Sequence, residues 1–201
     1  YTDAFLALPA CPESGIEKCK ALTTAALASW TMGSFDRCLE LWQQSYDMAK
    51  ELNVLPERAI NAMSLGVGYI GKDMNLAVTY VKEGVEISRK LQYNYALGLS
   101  LGFNGLINLI MGQVPLAKES LEEALHIQRK LKDSHGAGFS LSVLALIASK
   151  EGKFDLAIDG YKESIALFAA APDNSEEARV QSEIAWLYLS AGKIYEARNH
   201  F

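Results

Sequence analysis

Six residues spell a pattern that cradles phosphates elsewhere: Gly66-Val67-Gly68-Tyr69-Ile70-Gly71 fits G-x-G-x-x-G letter for letter. Those glycines let a backbone turn approach a pyrophosphate, but only between a strand and a helix, with an acidic residue on a following strand. Here the stretch lies inside a helical pattern and ends at a turn, so no dinucleotide or other cofactor is expected. His126, His135 and His200 fall in unrelated places, with no His/Cys/carboxylate cluster at metal-ligand spacing. No Ser/His/Asp or Cys/His set suggests nucleophilic catalysis. Glu122 and Glu123 are adjacent, and neighbours in sequence diverge on a helix, so they read as a solvated face rather than an acid–base pair. The chain is not expected to be an enzyme or to hold a metal.

The elements that carry these residues are set by a repeat. Cys38, Ala77, Ala117, Ala157 and Ala197 are separated by 39, 40, 40 and 40 residues. Four residues after each stands a large apolar side chain (Trp42, Val81, Leu121, Tyr161, Phe201), and three further on comes a small one (Ser45, Gly84, Ala124, Ser164). Five residues before the small slot sits a glycine in four copies (Gly33, Gly112, Gly152, Gly192); the other has Lys72 there, with Gly71 beside it. A fixed period of this length means stacked supersecondary units.

Each unit reads as two helices joined at the glycine. Leu141, Leu144, Ala145 and Ala148 recur at three and four, the apolar face of a first helix. Gly152 breaks it, since glycine accepts the left-handed backbone of a helix end. Phe154, Ala157, Ile158, Tyr161, Ile165 and Phe168 then form the face of a second helix, ended by Pro172-Asp173-Asn174-Ser175, with Ser175 capping the next. Pro56 and Ser134 mark two other helix starts. Two helices approach closely only where one offers a small side chain, which explains the small–large–small spacing.

Such units, with Gly152-Lys153-Phe154-Asp155-Leu156-Ala157 and Gly192-Lys193-Ile194-Tyr195-Glu196-Ala197 as the best-matching turns, resemble tetratricopeptide (TPR) repeats. The resemblance covers Ile16 to Phe201. It implies an all-α, right-handed superhelical solenoid of antiparallel helix pairs. Repeats are expected at about 16–55, 56–94, 95–134, 135–174 and, in part, 175–201, within one domain over 1–201. Tyr1–Ser14 aligns with Tyr161–Asn174, so residues 1–12 read as the end of a preceding repeat and the chain as a fragment of a longer protein. The period exceeds the family's usual length of about 34 residues. With segments such as Ser120–Asp133, it resembles a long-repeat subgroup. That subgroup includes the sensor arms of bacterial signalling ATPases and maltose-activator-type transcription regulators, kinesin-light-chain scaffolds and Gram-positive quorum-sensing peptide receptors.

In this family the first helices line a concave groove. Carried onto this chain, that implies a ligand- or partner-binding surface of Trp30, Gly66, Tyr69, Gly102, Leu106, Phe139, Ser142 and Trp186. Lys20 and Arg179 are its end cations, unlike the family's clamp of Lys, Asn and Arg for acidic chaperone tails. Gly98, Gly102 and Gly105 share one helix at about 1 kcal/mol each against alanine. Gly105 occupies the slot of Ala26, Ala145 and Ala185 and reads as close packing; for Gly66 and Gly102, packing and groove-opening stay open. Asn104 and Asn108 replace apolar residues and either bond internally or face a ligand as polar contacts.

Half the chain is hydrophobic and 21% is charged, enough for a packed core. A net charge of −5 and a pI near 5.3 argue against direct nucleic-acid binding. No apolar run reaches the roughly 18 residues of a membrane span, and no segment reads as a signal peptide. Cys11, Cys19 and Cys38 form no disulfide or zinc framework, which suits a cytoplasmic location. The expected function is recognition of a protein, a peptide or a small-molecule inducer by a module of a larger signalling or transcription-regulatory protein. The alternative is a passive scaffold using its convex face or repeat ends, with self-association through those ends.

Overall fold

The computed structural model describes residues 12–170, 175–190 and 192–200. Ten α-helices and no strand occur among them: α1 (Pro12–Thr31), α2 (Phe35–Glu51), α3 (Leu55–Tyr69), α4 (Met74–Lys90), α5 (Asn94–Ile110), α6 (Val114–Leu131), α7 (Ser134–Lys150), α8 (Phe154–Ala169), α9 (Ser175–Ser190) and α10 (Ile194–Arg198). They run as five consecutive helix pairs. The preceding-repeat helix expected at residues 1–12 falls almost wholly outside the described residues, as do the stop at Pro172–Asn174, Cys11 and Phe201.

Four of the five turns within a pair close in one way. At Gly33, Gly112, Gly152 and Gly192, φ lies between 73° and 75°. The glycine N–H bonds three residues back, and the next N–H bonds five back, as with Gly152 to Ser149 (3.0 Å) and Lys153 to Ala148 (2.9 Å). This is the Schellman closure, which satisfies the last carbonyls of the helix. The second pair differs. Ile70 has φ −58° and ψ 123°, Gly71 has φ +85°, and Lys72 N–H bonds the Tyr69 carbonyl at 2.9 Å. That is a type II turn, which requires positive φ at its third residue and so places the glycine one position early. Asp73 then caps α4, accepting from the N–H groups of Asn75 and Leu76.

Between pairs, the left-handed position is held by Asn53, Gln92 and Lys132, with φ of 53–57° and no glycine. The start of α7 is capped by Asp133, which accepts from Gly136 N–H at 2.9 Å, and Ser134 is its first helical residue. Proline lies in the first turn of α3 and α6.

By its internal contacts the chain divides into two compact units, residues 1–103 and 104–201, with α5 crossing the division. In the N-terminal unit α1 packs on α2, α2 on α3 and α3 on α4. Its core joins Leu22, Ala26, Cys38, Leu41, Trp42, Tyr46, Ala62 and Leu65. In the C-terminal unit α6 through α10 pack in chain order, around Ala117, Leu121, Val143 and Ile147 and around Ala157, Tyr161, Phe168 and Ile184. All five small slots, from Cys38 to Ala197, are at most 1% exposed. No helix among the described residues is long and apolar enough to cross a membrane.

Candidate functional site: a cleft in the C-terminal unit

The C-terminal unit contains a cleft of ≈ 250 Å³. Helix α7 supplies Phe139, Ser142, Val143 and Leu146, spaced along one helical face; Leu106 comes from α5 and Tyr161 from α8. Glu176, Arg179 and Glu183, successive turns of α9, stand along its charged side. Phe139 belongs to the rim of both apolar clusters of the unit, so its ring is held by packing from two directions.

The polar groups are ordered by a short chain of hydrogen bonds. Ser142 Oγ donates to the Phe139 carbonyl at 2.8 Å and accepts from Arg179 Nη2 at 3.2 Å. Arg179 Nε donates to Glu176 Oε2 at 2.7 Å. Arg179 therefore bridges Ser142 and Glu176. Glu183 forms no ion pair among the described residues. Tyr161 is 1% exposed, and burial pushes its hydroxyl pKa up; the Glu183 charge adds to this and Arg179 opposes it. No histidine or cysteine lines the cleft. No His, Cys, Asp and Glu group suited to a metal occurs among the described residues. The arrangement can hold an apolar side chain on its floor and a charged or polar group against its side.

Of the residues expected on the binding surface, Leu106, Phe139 and Ser142 meet in this cleft. Trp186 lies on α9, 65% exposed, and does not line it. Asn104 donates from Nδ2 to Ser120 Oγ at 2.9 Å, an internal use of the amide, and Asn108 is buried. Trp30, Gly66, Tyr69 and Gly102 belong to the N-terminal unit. Trp30 packs on Phe35 and Trp42, with centroids at 5.1 and 5.8 Å, and Tyr69 stacks on Tyr80 at 5.9 Å. Gly102 is buried.

Gly66 does not open a groove. A Cβ there would collide with Val81 Cγ2 and meet the Ala77 carbonyl at 3.0 Å. A Cβ at Gly105 would meet Leu121 and the Ala117 carbonyl in the same way. The two glycines occupy one slot, where α3 and α5 need a residue without a side chain to approach the helices that follow them.

Glu176 and Glu183 were not expected in the site, and Arg179 was expected only as an end cation of the groove. Their signal was available. Ser142 and Arg179 are 37 residues apart, as are Tyr46 and Glu83, and Tyr80 and Gln43, so polar contacts recur near the repeat length.

The N-terminal unit holds a second Tyr–Glu–Arg set. Tyr46 Oη donates to both Glu83 oxygens, at 3.0 and 2.8 Å, and Arg58 Nε donates to Glu83 Oε1 at 2.6 Å. The guanidinium lies 5.9 Å from the Tyr46 ring centroid. Burial, with the Glu83 hydrogen bond next in weight, pushes the Tyr46 hydroxyl up to about 12. Every member of this set has a partner within it.

No family model matches the chain, and no curated protein matches its sequence. Solved structures do match its fold. A Rap protein complexed with Competence and Sporulation Factor is similar at a TM-score of 0.81 and 12% identity, over 96% of this chain and 53% of its own. NprR in complex with its cognate peptide NprX is similar at 0.76 and 18% identity, over 99% and 58%. The nearly identical TPR-like repeats of a putative kinesin light chain from Podospora anserina give 0.66 and 21%, over 92% of both chains. At these identities the likeness shows the fold alone: a TPR-like, all-helical solenoid. The chain spans little more than half the length of the Rap and NprR structures.

Proposed function

We propose that this chain is a peptide-recognition module, and that the cleft of Leu106, Phe139, Ser142, Leu146 and Tyr161 is where it takes hold of its ligand. The observation that carries this reading is the cleft itself: an apolar floor beside a hydrogen-bonded polar edge. Its ≈ 250 Å³ suits one side chain of leucine or phenylalanine size. Pockets that engulf whole drug-sized molecules run about 300–1,000 Å³, which favours a peptide anchored by a side chain over an enclosed small inducer. Two proteins of similar fold, Rap and NprR, are seen with Competence and Sporulation Factor and with the peptide NprX, which agrees with the reading.

Within a larger signalling or transcription-regulatory protein, such a module would act by population shift. A peptide that binds one arrangement of the helix pairs better than another favours that arrangement by its difference in affinity.

Fluorescence polarisation of the full chain with a randomised library of short linear peptides tests the proposal. Binders are expected, and Phe139→Ala should weaken them about tenfold or more, as truncation of a central aromatic anchor does. Binders indifferent to Phe139→Ala and to Leu146→Ala would overturn it. A scaffold reading has its own observation: Leu76, Leu116 and Leu156 each precede a buried small slot, yet are 38%, 50% and 61% exposed. If replacing these leucines by serine abolished a protein complex while cleft variants left it intact, the scaffold reading would prevail.

A further inference from the structure

The charged side of the cleft has one carboxylate more than it needs. Glu176 and Glu183 face it against a single cation, Arg179. Arg179 is turned toward Glu176, 2.7 Å away, and its second contact goes to Ser142 rather than to Glu183. Glu183 sits one turn beyond Arg179 on α9, half-buried, beside an apolar floor and the buried Tyr161. It is not paired with any described residue. A carboxylate with no counter-ion is open to an incoming cation, and the low-dielectric wall of Phe139 and Leu146 would strengthen the attraction.

We infer that the cleft selects peptides that present a cationic group next to an apolar side chain, the apolar group resting on Phe139 and Leu146 and the cation meeting Glu183. This rests on the peptide-recognition reading and specifies the class of peptide. Charge complementarity carries it: the side of the cleft keeps one net negative charge, and its single arginine is paired with Glu176. A peptide with an acidic residue at the same place would face the unpaired charge of Glu183. The cation can come from a lysine or arginine side chain or from the peptide's own N-terminal ammonium; the chemistry met by Glu183 is the same.

The test uses the full chain and three matched sets of short fluorescent peptides, each with a central leucine or phenylalanine followed by lysine, serine or glutamate. Half of each set is N-acetylated. At low ionic strength the lysine peptides are expected to bind about three- to tenfold more tightly than the glutamate peptides, a preference that added salt diminishes. Glu183→Gln should abolish the preference, and circular dichroism should show it folded like the parent chain. Phe139→Ala should weaken every set. If the lysine preference survives acetylation, the cation is the side chain; if acetylation instead weakens every set alike and Glu183→Gln abolishes that effect, it is the N-terminal ammonium. Peptides that bind in a Phe139-dependent way with neither a lysine preference nor an effect of acetylation, or with either of these surviving Glu183→Gln, would overturn this inference and leave the recognition site standing. No binding by any set would overturn both.

Discussion

The two Tyr–Glu–Arg sets, one in each unit, contain the same side chains and differ in closure. In the N-terminal unit Glu83 receives Tyr46 and Arg58, and the charges are spent inside the fold. In the C-terminal unit Arg179 reaches instead to Ser142 and Glu176, and Glu183 is left beside the buried Tyr161 with no counter-ion among the described residues. A closed set fixes helices to one another. An open one, next to an apolar floor, is what a recognition site needs. The presence of ionisable residues on a repeat face is therefore uninformative until their pairing is known.

The largest expected effect concerns the slot that both units share. Gly66→Val and Gly105→Val should each lose about 3 kcal/mol in urea denaturation, since the new side chain meets backbone as well as Val81 or Leu121. If Gly66→Val proved neutral, the equivalence of the two glycines would fail. Next comes the contrast of closed and open sets. Glu83→Ala strips the partner from the hydroxyl of the buried Tyr46 and from Arg58 and should cost about 2 kcal/mol. Glu183→Ala should change stability by less than about 0.5 kcal/mol. Equal losses would erase the distinction.

The closed set also predicts a pH dependence. The folded pKa of Tyr46, about 12, lies above the unfolded value near 10. Its contribution is therefore intact below about pH 10 and is lost as pH rises toward about 12, on the order of 2 kcal/mol. Denaturation midpoints across that alkaline range should fall less steeply in Tyr46→Phe than in the parent chain.

A smaller effect separates two corresponding inter-pair junctions. Ser140 Oγ donates to Gln128 Oε1 at 2.8 Å in the C-terminal unit. Forty residues earlier, Ser88 Oγ and Ser100 Oγ are buried and find no partner among the described residues. Ser140→Ala should cost about 1 kcal/mol, whereas Ser100→Ala should be neutral or slightly stabilising, measured by thermal unfolding.

Much of this fold was legible because its cause is periodic. The slots of Cys38, Ala77, Ala117, Ala157 and Ala197 are buried, as a small residue between close helices must be. The turn glycines take the left-handed backbone their position suggested, including Gly71, whose offset by one residue reflects a different turn type. The site was less legible. Gly66 looks the same in sequence whether it admits a ligand or a neighbouring helix, and only Val81 at its side decides. Asn104 could bond internally or face a ligand by sequence alone, and its amide donates to Ser120 Oγ. Arg179 could choose between carboxylates three residues before it and four after it, Glu176 and Glu183. Spacing permits both, and the rotamer that reaches Ser142 on another helix settles the matter.

The most direct measurement is an NMR titration of the labelled full chain with the leucine–lysine peptide. Shift changes centred on Phe139, Ser142, Arg179 and Glu183, with Tyr46, Arg58 and Glu83 unmoved, are the predicted result. Changes centred on the Tyr46–Glu83–Arg58 set, or changes unaltered by Phe139→Ala, would contradict the assignment of the open set as the site of recognition.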